Sequence, residues 1–245
     1  GGMGATLLTL GAEDSNKKML THDIPILHDV FTLHPYGAMF WRSKGWLLLS
    51  DLHLGKAAHF RKAGLPLPEG SDDQTLARMD EVIAHFQPKR VVIIGDLFHS
   101  AHNNAWEPFH AWCKRQMAEL HLVLGNHDRL AERRYREAGL ITHATGLVEL
   151  PFILEHEAPL AVGGAGMIHV ICGHTHPGIV LHGQANQSLR LPCFLVGPQV
   201  TLLPAFGMST GLFTVKPTPA HRVFACTDKA VLDVTGVGAG QPSKA

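Results

Sequence analysis

The chain has 245 residues, enough for one large domain with a substantial core or two small ones. Hydrophobic residues make up 45% and charged residues 17%, and 21 Lys and Arg balance 21 Asp and Glu, so no overall basic field marks a DNA-wrapping protein, although a local basic cleft is compatible with that balance. No apolar span approaches the ~18 residues of a membrane helix and no leader pattern stands at the start, so the expectation is a soluble, cytoplasmic protein with no membrane partner.

Residues 1–20 are polar and Gly-rich and are expected to fray, leaving one domain over 21–235 and a flexible tail over 236–245. A hairpin is predicted with strands over 30–33 and 38–41, joined by the turn at His34-Pro35-Tyr36-Gly37. The run 46–50 is apolar on both faces and predicts a fully buried strand. Residues 56–70 contain Gly64, Pro66, Pro68 and Gly70 together with Lys56, His59, Arg61 and Lys62, and are expected to be a basic loop. That loop either presents positive charge to an anionic substrate or is merely solvated. Leu76, Met79, Val82, Ile83 and Phe86 share a helical face over 72–86, with Ser71 as expected N-cap and Pro88 as stop.

A second buried strand is expected over 91–94, a helix over 106–119, a third strand over 121–124 and a short charged helix over 131–138. This strand–helix alternation implies parallel pairing with right-handed crossovers, and ligand sites in such sheets lie beyond the carboxyl ends of the strands. The second half is richer in strands. They are expected over 147–155 (interrupted by Pro151), 167–172, 179–181, 189–195, 200–203, 213–215, 223–226 and 230–234. The Gly-containing segment 204–211 is long enough to return toward a site.

Histidine stands out at 18 residues, and it is the commonest metal ligand. Four apolar runs end in side chains that bind metals. They lead into Asp51-Leu52-His53, Gly95-Asp96, Gly125-Asn126-His127-Asp128 and Gly173-His174-Thr175-His176. Each motif alone is a common turn. Their repeated placement after buried strands points to a shared centre of carboxylate, amide and imidazole ligands, a set accepted by manganese, iron and zinc. The four cysteines, Cys113, Cys172, Cys193 and Cys226, form no CxxC pair and read as reduced small hydrophobes.

These motifs, together with His156, resemble those of the calcineurin-like metallophosphoesterase superfamily, and the resemblance spans residues 25–235. Within it, the stretches SDLHLGKAAHFRKAGLPLP, GDLFHS and LPAFG most closely resemble the bacterial ligase-associated DNA damage response endonucleases known as PdeM. The resemblance implies a four-layer α/β/β/α sandwich with two mixed β-sheets. It also implies two divalent ions, with manganese favoured and zinc or iron as alternatives. One would be held by Asp51, His53, Asp96 and His176, and the other by Asp96, Asn126, His156 and His174, with Asp96 as bridge. His143 and His169 are the rivals of His156 for its place.

The implied reaction is phosphodiester hydrolysis by a metal-activated hydroxide, acting on DNA in repair alongside a ligase, a helicase and an exonuclease. The alternative is a nucleotide or cyclic-nucleotide phosphoesterase. His127 is the expected catalytic side chain, and Asp128 is expected to orient it through its other ring nitrogen. Lys56, His59 and Arg61 are the expected substrate contacts. Arg129 can meet phosphate or solvate a helix start. His99 stands where the superfamily often has an acidic residue, and His59 and His102 fall near the expected rim without being assigned to the metals.

Overall fold

The computed structural model describes residues 18–65, 69–100, 104–128, 130–164, 166–183 and 187–237. Expectations for most of the N-terminal segment, for Pro66, Leu67, Pro68, His102 and Arg129, and for the last residues of the tail lie outside the described residues.

The first sheet starts as a meander and becomes parallel. Strands β1 (His22–Ile26), β2 (Asp29–Leu33), β3 (Met39–Trp41) and β4 (Trp46–Ser50) pair antiparallel. Strands β5 (Arg90–Ile94), β6 (Glu119–Val123) and β7 (Leu140–His143) then extend β4 in parallel register. Two strands in this sheet, β1 and β7, had no sequence expectation. Both are short, partly exposed strands on an edge of the sheet, His-Asp-Ile-Pro-Ile and Leu-Ile-Thr-His, with too little periodicity to give a strong signal.

The expected basic loop is partly a helix, α1 (Lys56–Lys62). Its breakers, Gly64 and Pro66, follow the helix rather than interrupt it. Gly55, with φ 83°, takes the N-cap position, and its N–H reaches both oxygens of Asp72 at 3.0 Å. Helix α2 (Ser71–Phe86) starts one residue early, so Gly70 rather than Ser71 occupies the N-cap position. Ser71 is buried there and its carbonyl accepts from the Thr75 hydroxyl. The second predicted helix is shorter than expected, α3 (Trp106–Lys114), and α4 (Glu132–Glu137) follows β6.

In the second sheet the stretch around Pro151 splits into β8 (Leu147–Glu149) and β9 (Phe152–Glu155), paired antiparallel across a cis Leu150–Pro151 bond. Strand β10 (His169–Cys172) lies between β9 and β13 (Val200–Leu202), parallel to both. Strands β11 (Pro177–His182), β12 (Ser188–Val196), β14 (Phe213–Thr214), β15 (Arg222–Cys226) and β16 (Val231–Asp233) complete it.

The result is an α/β fold with two mixed β-sheets flanked by helices. Period-two alternation assigns β4 to two cores at once. Leu47 and Leu49 join the core that α2, α3 and α4 supply with Met79, Trp112 and Tyr135. Trp46 and Leu48 face the other way, into the core between the sheets with Trp41, Phe152, Ile171 and Phe224. Burial on both faces is why such strands read as unbroken apolar runs. A smaller cluster of Ile179, Cys193, Val215 and Val223 lies in the second sheet. All four cysteines are buried and free. Among the described residues no helix is long and apolar enough to cross a membrane.

Candidate metal centre

The strand ends converge. Asp51 follows β4, Asp96 follows β5, Asn126 and His127 follow β6, His156 follows β9, and His174 and His176 follow β10. Backbone bonds stitch the first loops together, with Asp51 N–H donating to Gly95 O at 3.1 Å and His53 N–H to Asp96 O at 2.9 Å. The two sheets are tied at the same point by His174 N–H donating to Asp51 Oδ2 at 2.9 Å.

Two groups of donor atoms result. Asp51, His53 and His176 form one, and Asp96, His156 and His174 form the other; within each, the potential ligand atoms lie within 4.8 Å of one another. The first is the deeper, with the Asp51 and His176 side chains 0% and 16% exposed, whereas that of His174 is 44% exposed. Asp96 stands between the groups, its Oδ2 3.6 Å from His53 Nε2 and its Oδ1 3.4 Å from His156 Nε2.

The chemistry of these groups suits a cation. Asp51 Oδ1 is buried without a hydrogen-bond partner and lies 3.4 Å from His176 Nε2. A buried, unpaired carboxylate oxygen is costly unless something positive meets it. Ring nitrogens face one another at 3.1 Å in both groups, His53 with His176 and His156 with His174. Burial lowers His53 to about 4 against the pull of Asp51 and Asp96, so it is a neutral imidazole able to ligate. Burial alone would raise Asp96, but the contact with His156 and the N–H of His127 outweigh it and hold the carboxyl well below the usual range. Such oxygen and nitrogen sets match divalent manganese, iron or zinc.

The backbone is strained for this arrangement. Among the described residues, five of the seven non-glycine residues with positive φ are Asp51, His53, Asp96, His174 and His176. Each such conformation costs of order 1–3 kcal/mol, and a cluster of them marks a site. Gly95 permits the tightest approach, because a Cβ there would fall 1.9 Å from His156 Nδ1.

His127 does not meet Asp128 as expected. Its Nδ1 donates instead to the carbonyl of His99 at 3.0 Å, and the two rings stack with centroids 5.6 Å apart. The Asp128 carboxylate is occupied by backbone, accepting from Leu97 N–H at 2.9 Å and Gly125 N–H at 2.8 Å. It therefore joins the loops after β5 and β6. The geometric reason is the tight turn, which directs the acid back under its own loop. Burial, with the charge of Asp96 adding, pushes Asp128 up to about 6 against those N–H contacts.

Asn126 donates through Nδ2 to Glu157 Oε1, and Glu157 also stands 3.7 Å from His174 Nε2. Glu157 carried no sequence assignment; its signal is an acid directly after His156. His143 and His169, the rivals of His156, lie elsewhere, bonded to His121 and to Thr201. The expected substrate residues divide. The His59 ring lies 5.0 Å from that of His99, Lys56 opens α1 from the carbonyl of His53, and Arg61 lines a separate hollow with Asp72 and Asn104.

Residues 47–176, the stretch holding both groups, match the calcineurin-like phosphoesterases. The chain belongs to that family. With its two metal-binding clusters it is a metal-dependent phosphoesterase. The crystal structure of the nuclease MPE from Pseudomonas putida is similar to it at 31% identity and a TM-score of 0.73, covering 86% of this chain and 100% of that one. YfcE, a phosphoesterase from E. coli, shows 15% identity and a TM-score of 0.41 over 76% of this chain and 96% of its own. A protein of unknown function from Aquifex aeolicus shows 15% and 0.37 over 57% and 80%. No curated protein matches the chain.

Proposed function

We propose that the protein is a manganese-dependent DNA endonuclease of the PdeM type, acting in bacterial repair beside a ligase, a helicase and an exonuclease. The observation that carries the nucleic-acid reading is the likeness to a nuclease over that protein's whole length at 31% identity. Convergence of two carboxylate and imidazole groups around Asp96 supports a binuclear site. In this reading Asp51, His53, Asp96 and His176 hold one ion and Asp96, Asn126, His156 and His174 the other. A metal pair supplies charge neutralisation on the phosphoryl oxygens and acidifies a water for in-line attack.

The chain's own groups do the rest. With Nδ1 committed to the His99 carbonyl, His127 keeps Nε2 for the phosphate or for protonating the leaving alkoxide. Glu157 accepts from the Asn126 NH2 and so fixes the plane of an amide whose oxygen is its atom capable of binding a cation. Lys56 and His59 flank the entry and favour a polyanion.

The test is a manganese-supplemented panel of single-stranded, duplex and flap DNA, cyclic nucleotides and a generic phosphodiester, with bound metal measured on the same sample. Cleavage within DNA that chelation abolishes is expected. Efficient turnover of nucleotides with no cut in DNA would replace this reading with a small-molecule phosphoesterase.

A further inference from the structure

The stretch running on from Asp51 and the Leu203–Gly207 segment meet beside the candidate centre. On one side, Lys56 N–H donates to His53 O at 3.1 Å, so α1 springs directly from the loop carrying His53. On the other, Phe206 N–H donates to Ser50 O at 2.9 Å and Gly207 N–H to Asp51 O at 3.2 Å. Met208 N–H then reaches the Thr75 hydroxyl on α2 at 3.3 Å. Two walls are thus anchored to neighbouring residues of one motif. Between them is a cavity of about 510 Å³ lined by Lys56, Phe60, Leu65, Gln74, Met208 and Thr210.

A series of neighbouring rings leads from the cavity wall to the centre. Phe60 lies 5.5 Å from His99, His99 stacks on His127 at 5.6 Å, and His127 lies 5.5 Å from His53. The chemistry of the lining is mixed in a specific way. An aromatic ring and a thioether offer flat, polarisable contact, a hydroxyl and an amide offer edge hydrogen bonds, and one half-buried ammonium sits at the end nearest the centre. Flat heterocycles with polar edges, attached to a phosphate, match that sequence of groups.

We propose that this groove holds the nucleobase of the nucleotide adjoining the scissile phosphodiester, stacked on Phe60 and covered by Met208. The inference rests on the nucleic-acid reading above and deepens it. Base stacking on a side chain tolerates any base because every base has a π face. The groove therefore selects for a base being present and not for its identity. It also gives α1 and the segment after Gly207 a shared task that the metal centre alone does not require.

The test uses a short single-stranded oligonucleotide with one cleavable phosphodiester, flanked either by normal nucleotides or by abasic residues. Wild type, Phe60→Ala and Gly211→Trp are compared. Gly211 lines the groove and a Cβ there meets nothing within 4 Å, so the backbone accepts a side chain at the groove wall. Removing the flanking bases should raise the wild-type KM about tenfold or more, in line with the loss of one stacked base. Both variants should lose about tenfold more on the normal substrate than on the abasic one. Equal losses on both substrates, or a wild type indifferent to base removal, would overturn the groove while leaving the nuclease reading intact.

A second measurement separates the two readings. Binding of an oligonucleotide carrying 2-aminopurine, followed by fluorescence in calcium without turnover, should show quenching that both variants weaken. If wild type cuts no oligonucleotide yet hydrolyses bis(p-nitrophenyl) phosphate, the nuclease reading fails. Quenching that is lost in the variants would still uphold the base site, and absence of quenching in wild type would end it.

Discussion

The main-chain N–H of His174 donates to Asp51 Oδ2 at 2.9 Å, so the carboxylate of one group is held by the residue whose ring belongs to the other. The bond also joins the sheets, since Asp51 follows β4 and His174 follows β10. Neither group can be assembled without correct docking of both sheets. Metal binding and folding should therefore be coupled, as they are wherever ligands come from distant segments.

Asp96→Ala should empty both positions together, because Asp96 is the carboxylate within reach of His53 and His156. We expect turnover to fall by more than about a hundredfold. Metal analysis after gel filtration checks this, and retention of one full equivalent would contradict a shared bridge.

His127→Ala should separate binding from turnover. Metal content should stay at the wild-type level while kcat falls roughly 10²–10⁴-fold, the range for a positioned acid or base. Asp128→Ala should behave differently, as a stability variant. It leaves the N–H groups of Leu97 and Gly125 without their acceptor, at about 1–3 kcal/mol for each one left unsatisfied. Thermal melting of the two variants side by side would distinguish the roles.

Gly95→Ala should damage one metal position more than the other. The added Cβ would fall 1.9 Å from His156 Nδ1, at a residue with φ +74°. Displacement of His156 opens its own group and leaves Asp51, His53 and His176 in place. The expected stoichiometry is close to one ion per chain; two tightly held ions would show that the loop yields without consequence.

Acid should weaken the fold through histidines outside the centre. Burial lowers His34 and His169 to about 4, from an ordinary value of 6.5. Below 6.5 the unfolded chain binds protons that the folded chain refuses, so this contribution is complete above 6.5 and is lost as pH falls toward 4. Between pH 7 and pH 5 each should remove about 2 kcal/mol. Urea midpoints of chelated protein at both pH values measure it, and His169→Gln should reduce the difference. An unchanged pH response in that variant would remove His169 as a source.

Much of the centre was legible before any coordinates. Unbroken apolar runs mark the strands 46–50 and 91–94 as buried on both faces, and in a parallel sheet the residues just beyond them share an edge. That argument places Asp51, Asp96 and His127 together with no contact known. The helix α1 is hidden in a stretch whose overall composition reads as loop, because the breakers Gly64, Pro66 and Pro68 all come after Lys62. The edge strands β1 and β7 were missed because a short, half-exposed strand has too little periodicity to stand apart from a loop.

The sequence by itself determined which atoms can take part: the carboxylates, imidazoles and amide, the strands that deliver them, and the glycine that clears space for His156. Only the tertiary structure decided how those atoms are oriented. The sequence neighbour Asp128 turns to backbone N–H groups while the His99 carbonyl, from another loop, takes the His127 ring. Adjacency along the chain constrains where a backbone goes, but a side chain bonds whatever packing brings within about 3 Å of it. The same holds for Glu157 beside Asn126 and for the meeting of α1 with the segment after Gly207. Such partners are chosen when the sheets dock, and no spacing in the sequence records the choice.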